Sequence, residues 1–70
     1  MNTSIGRIVH YRGLLFAKPV IYPAIITAID PEDTYNLTLT VFTTQGAKVV
    51  KDATFSVDDD LGTWFWPPRV

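Results

Sequence analysis

A chain of 70 residues with six basic and seven acidic side chains, net charge −1, is one domain without the basic surplus of a duplex-nucleic-acid binder. It has no cysteine and a single histidine, which excludes disulfides and every zinc site built from several soft ligands. A domain this small buries only ~60% of the surface its unfolded chain exposes, so with those supports gone and 47% apolar residues, self-association is the expected stabiliser.

Residues 5 to 13, IGRIVHYRG, read as the first strand. Alternation puts Ile5, Arg7, Val9 and Tyr11 on one face and Gly6, Ile8, His10 and Arg12 on the other. Gly13 is expected to end the run. The following LLFAKP reads as a loop whose Leu14, Leu15 and Phe16 cover the barrel mouth or meet a partner. The second strand, Val20 to Ile29, has almost no polar alternation, so both faces are expected to be covered, the outer one by a neighbouring subunit. Pro23 cannot donate a ladder hydrogen bond and belongs at an edge or bulge.

DPEDTY turns the chain through Asp30 and Pro31. Tyr35 to Thr44 alternates most cleanly, with Leu37, Leu39 and Val41 toward the core and Thr38, Thr40 and Phe42 away from it. Gln45-Gly46 reads as the hairpin connection, Gly46 supplying positive φ. AKVV pairs back, KDA turns, and TFSV forms a further short strand. DDDLG then leads to a last extended piece, Thr63 to Trp66, stopped by Pro67 and Pro68. Five to six short antiparallel strands, tight turns and no helical period predict an all-β, SH3-like barrel that is oligomeric and spans residues 1–70 as one domain. An OB fold asks for more residues and a helix. The longest apolar run, Pro19 to Ile29, is shorter than the ~20 residues that cross a bilayer, and no membrane partner is expected. The opening MNTSIGR lacks a basic segment followed by an apolar one, so no secretory leader is expected.

Chemistry-bearing residues gather in two places. The closing GTWFWPPRV sets Trp64 and Trp66 on one face and Phe65 on the other. These rings read as barrel-closing core, as a subunit interface, or as a platform on which a planar base stacks for ~1–3 kcal/mol. His10-Tyr11-Arg12 offers an imidazole, a phenol and a guanidinium to a base edge, a ribose hydroxyl and a phosphate, although alternation sends Tyr11 to the opposite face. Asp58-Asp59-Asp60 lacks the spaced oxygen ligands of a calcium loop and reads as a solvated turn. One histidine without supporting spacing makes no nucleophilic triad, and no glycine-rich loop opens a helix. No catalytic residues, metal or cofactor are therefore expected, and the protein reads as a non-enzyme.

At Gly6–Tyr11 (GRIVHY) and Gly62–Pro67 (GTWFWP) the chain resembles a family of small bacteriophage proteins with a G-R-I-V-H-Y opening and a G-T-W-H-W-P close. Ala24–Thr27 (AIIT) and Asn36–Leu39 (NLTL) match its generic strands, and Phe65 stands where the family has histidine. The resemblance implies a phage origin, the host bacterial cytoplasm as the setting, and action by binding. One class of such proteins sequesters the cyclic (di)nucleotide signals of bacterial immunity. By that analogy, an oligomer would pool His10, Tyr11, Arg12, Lys18, Trp64 and Trp66 from different subunits into ligand sites. The alternative is a protein-interaction or virion-associated module that uses Leu14 to Phe16 and the aromatic tail. With a near-neutral charge, nucleic acid is not an expected partner.

Overall fold

The computed structural model describes residues 2–68. Five strands, β1 (Ile8–Leu15), β2 (Lys18–Ile29), β3 (Asn36–Thr43), β4 (Gly46–Phe55) and β5 (Thr63–Phe65), close into a barrel in chain order. No helix occurs among the described residues. Successive pairs from β1 to β4 are antiparallel, and β5 returns antiparallel to β1. β5 therefore lies parallel to β4, which corrects the expectation of antiparallel pairing throughout. Parity is the reason: strands that alternate direction around a closed ring must be even in number. With five, one neighbouring pair has to run the same way. The chain keeps that pair short, pairing only Thr54 with Thr63 and Phe55 with Trp64.

The interior follows the period of two. Val9 of β1, Tyr22, Ala24 and Ile26 of β2, Leu37, Leu39 and Val41 of β3, Ala53 of β4 and Trp64 of β5 form one buried cluster. Each large aliphatic member contributes about 1.5–3 kcal/mol on burial. Trp64 is the largest fully buried side chain. The expected inward set of the third strand is observed without change.

Four local expectations are corrected. β1 does not stop at Gly13 but continues to Leu15, because Gly13 is the inward position over which the Tyr22 ring lies; a Cβ there would meet Tyr22 ring carbons at 3.0 and 3.1 Å. The Tyr22 hydroxyl donates to Leu14 O at 3.3 Å, which holds the ring in place. Gly13→Ala is thus expected to cost about 1–3 kcal/mol through overpacking. For a domain of this size that lowers Tm by on the order of 10 °C; an unchanged melt would show that the ring shifts without penalty.

KDA is no turn. β4 runs through it, and Asp52 takes a left-handed φ of 57° as the extra residue of a bulge opposite Thr38. A second bulge, at Thr27 of β2, faces the same Thr38, whose carbonyl accepts from Thr27 Oγ1 at 3.2 Å. Two bulges against one residue bend both neighbours of β3 and help the sheet to close. The β3–β4 turn is Thr44-Gln45, one residue earlier than expected, with Gly46 (φ 116°) opening β4.

LLFAKP, expected as a loop, is a hairpin. Leu15 pairs with Lys18, so Phe16 and Ala17 alone make the turn. Both have positive φ, 51° and 64°, as a primed two-residue turn requires. Such turns favour Asn-Gly; a Cβ in this region, unless the side chain is one such as Asn that bonds the local backbone, costs on the order of 1 kcal/mol per residue. Phe16 is also 85% exposed and recovers nothing by burial within the chain.

The outer face of β2, for which a neighbouring subunit was the expected cover, is open in the single chain. Ile21 is 59% exposed, and Pro19 and Pro23 are exposed beside it. Opposite them on β1 stand Arg12, Leu14 and His10, in that order.

Candidate binding site

The outer surface of the β1–β2–β5 seam carries the densest chemistry. Alternation turns His10 and Arg12 of β1 and Phe65 of β5 outward, and the register sets His10 beside Phe65. The two rings meet edge to face, 5.4 Å between centroids at 85°. The Arg12 guanidinium lies over the other part of this surface, its central carbon 4.1 Å from the Phe65 centroid. Phe65 is thus the hub of a His10–Phe65–Arg12 group. A histidine at that position would set a second imidazole there; phenylalanine supplies a π-face to a cation instead.

Arg12 is the unusual member, being only 9% exposed although its side chain points out of the barrel. The β4–β5 connection folds over it. Its Nη1 donates to Ser56 O and to Thr63 Oγ1, each at 2.9 Å, while Gly62 N donates to Arg12 O at 2.9 Å. Thr63 Oγ1 in turn donates to Asp60 O at 2.5 Å. Both of Arg12's hydrogen-bond acceptors are neutral, and the residue borders a surface cleft of about 380 Å³. Pro19, Ile21, Asp59 and Leu61 line that cleft with it. No buried side-chain nitrogen or oxygen among the described residues lacks a partner, so the arrangement is fully satisfied as it stands.

The other residues expected at a ligand site are dispersed. Tyr11 faces inward, cross-strand from Trp64, and borders a cleft of about 310 Å³ at the barrel mouth between the β1–β2 and β3–β4 turns. Lys18 is exposed at the start of β2, next to the hairpin turn. Trp64 is completely buried, and its Nε1 donates to Tyr35 O at 3.0 Å. Its indole packs edge-on against Tyr35, Phe55 and Trp66 at centroid distances of 5.5, 5.0 and 5.1 Å. It offers no surface to a ligand in this state. Trp66 is half-buried and carries the Arg7 guanidinium 5.5 Å from its ring centroid. One protomer therefore unites His10 with Arg12, separates both from Tyr11, and leaves Trp66 and Lys18 elsewhere.

Three contributors escaped the sequence reading. Phe65 bridges His10 and Arg12, Leu61 walls the outer cleft, and Arg7 forms a second cation–aromatic pair with Trp66. Strand alternation of Phe65 against the tryptophans was the available signal for the first. Nothing local marked the other two. No group of three or more His, Cys, Asp or Glu side chains that could hold a metal ion is found among the described residues.

The fold defines a small closed barrel with a cation–aromatic outer cluster. No known family model matches the chain, and no curated protein or solved structure shows significant similarity to it.

Proposed function

We propose that this protein is a non-enzymatic, SH3-like binding barrel that acts as a homo-oligomer and sequesters cyclic (di)nucleotide signals, in the setting of a phage-infected bacterial cytoplasm. The observation that carries the reading is the outward row of the β1–β2 hairpin. Its cross-strand pairs are Ile8–Ile25, His10–Pro23, Arg12–Ile21 and Leu14–Pro19. Ile8, Leu14 and Ile21 are each more than half exposed. A stable interface takes on the order of 800 Å² per partner, roughly a sixth of the 4784 Å² surface of this chain.

The ligand class rests on the pairing of cations with rings on the same molecule. A cyclic dinucleotide presents planar bases and anionic phosphates together, and Arg12–Phe65–His10 and Arg7–Trp66 are the cation-and-ring sites available to it. Assembly would bring such sites from separate protomers within reach of one ligand, with Tyr11 and Lys18 at the hairpin end.

Thermal melts against a panel of cyclic mono- and dinucleotides test the ligand. At 100 times Kd a ligand contributes ~2.7 kcal/mol, which raises Tm by on the order of 10 °C for a domain of this size. Trp66→Ala and His10→Ala, both at half-buried positions, should remove the shift while the protein stays folded. A panel in which no nucleotide moves the melt sinks the nucleotide reading.

A further inference from the structure

We propose that the β1–β2 hairpin tip is an anchor for self-association: Phe16 of one copy seats in the outer cleft of a second copy against Arg12, and the second copy reciprocates. The inference rests on the reading that the chain self-associates and names the contact that does it.

The first ground is the turn itself. Phe16 and Ala17 occupy a primed turn at positive φ, where Asn-Gly would sit without strain. The ring at its tip is almost wholly in solvent. Nothing within the chain rewards phenylalanine there, and strain held at an exposed position points to a role outside the protomer.

The second ground is the receptor. The cleft of about 380 Å³ has Ile21 and Leu61 as walls, 59% and 51% exposed, and Arg12 as its base. One face of the guanidinium is taken by Phe65 at 4.1 Å. A phenyl ring entering the cleft would stack on the opposite face and bury both aliphatic walls. Rings on both faces of a planar cation give a desolvated cation–π sandwich.

The third ground is register. Tip and cleft belong to the same hairpin, with the Leu14–Pro19 pair midway between the turn and the Arg12–Ile21 pair. At ~3.3 Å per residue the tip lies roughly 14 Å from that pair. A two-fold axis lying above the outer face, parallel to the sheet and perpendicular to the strands at the level of Leu14–Pro19, therefore lays each tip over the other copy's Arg12–Ile21 pair. It also brings the exposed, apolar Leu14 and Pro19 against their own equivalents. The contact is isologous and closes at two copies; it takes up Arg12 and leaves His10, one pair further from the tip, together with the barrel mouth and the Arg7–Trp66 pair, outside it and open to a ligand.

Sedimentation velocity over a micromolar concentration series tests the anchor on the full chain. Phe16→Asn with Ala17→Gly restores the preferred turn, so at concentrations where both proteins are monomeric this variant should melt higher than the wild type. It should also bind itself at least tenfold more weakly. Because the native chain has no cysteine, Phe16→Cys protein mixed with Leu61→Cys protein should form the mixed disulfide under mild oxidation faster than either forms its homodimer. If the turn variant associates as tightly as the wild type, the anchor is wrong while self-association stands. A wild type that stays monomeric throughout overturns both, and leaves the tip to a different protein.

Discussion

Trp64→Ala should leave the chain largely unfolded at 25 °C. Removing a fully buried tryptophan costs about 3–5 kcal/mol, whereas a chain of this size has a total stability of roughly 3–10 kcal/mol. Trp64 is worse placed than an average core residue, because it does three things at once. Its indole fills the barrel end beside Tyr35 and Phe55, its Nε1 satisfies Tyr35 O, and its backbone pairs β5 to both β1 and β4. Ring closure depends on a three-residue strand whose central side chain is this one. Trp64→Phe keeps a ring but loses the hydrogen bond to a part-buried carbonyl, at about 1–3 kcal/mol. Far-ultraviolet circular dichroism and fluorescence from Trp66 would follow both variants. A Trp64→Ala protein that melts cooperatively within a few degrees of the wild type would refute this account of closure.

Arg12→Ala should be the next most damaging change, at about 3 kcal/mol. Hydrogen bonds from a charged donor contribute roughly 1.5–3 kcal/mol, and a guanidinium stacked on a ring about 0.5–2 kcal/mol. These contributions overlap and are not summed. The loss should be regional. Arg12 fastens Ser56 and Thr63, the two ends of the β4–β5 connection, to β1. Hydrogen exchange should accelerate in 56–65, while Ile26, Leu39 and Val41 in the β2–β3 core keep their protection. Arg12→Lys supplies a cation without the planar fork and is expected to recover less than half of the loss. Uniform acceleration across all strands would mean that Arg12 supports the whole barrel and does not act as a fastener for one connection. A change confined to ligand binding would assign it wholly to the site.

Legibility followed the range of the interactions involved. Leu37, Leu39 and Val41 could be placed from sequence because a half-buried strand repeats every two residues, and that signal is local. The turn at Asp30-Pro31 was equally plain, with Asp30 Oδ1 accepting from Glu32 N at 2.9 Å. KDA misled because an aspartate that tolerates the left-handed region serves a turn or a bulge alike; only the partner strand, offering Thr38 across from it, decides between them. Gly13 misled for a related reason. Glycine ends strands, but it also yields space to a ring across the sheet, and Tyr22 is nine residues further along the chain.

The candidate site shows the same division. His10, Arg12 and the aromatic tail were visible as residue types suited to binding. Their grouping was not, because Phe65 reaches His10 and Arg12 only when the last strand closes on the first. Trp64 and Trp66 share a face, as alternation requires, but one is core and the other is half-buried. That difference arises because the barrel ends between them.

By itself, then, the order of residues determined that this chain is all β and which residues of the third strand face inward. Those properties arise from side-chain period and backbone preference over a few neighbours. The tertiary structure decided the strand count, the one parallel pair, the burial of Arg12 and the cleft above it. Each of these depends on ring closure, which joins positions more than 40 residues apart, such as Arg12 and Ser56, that no local pattern relates.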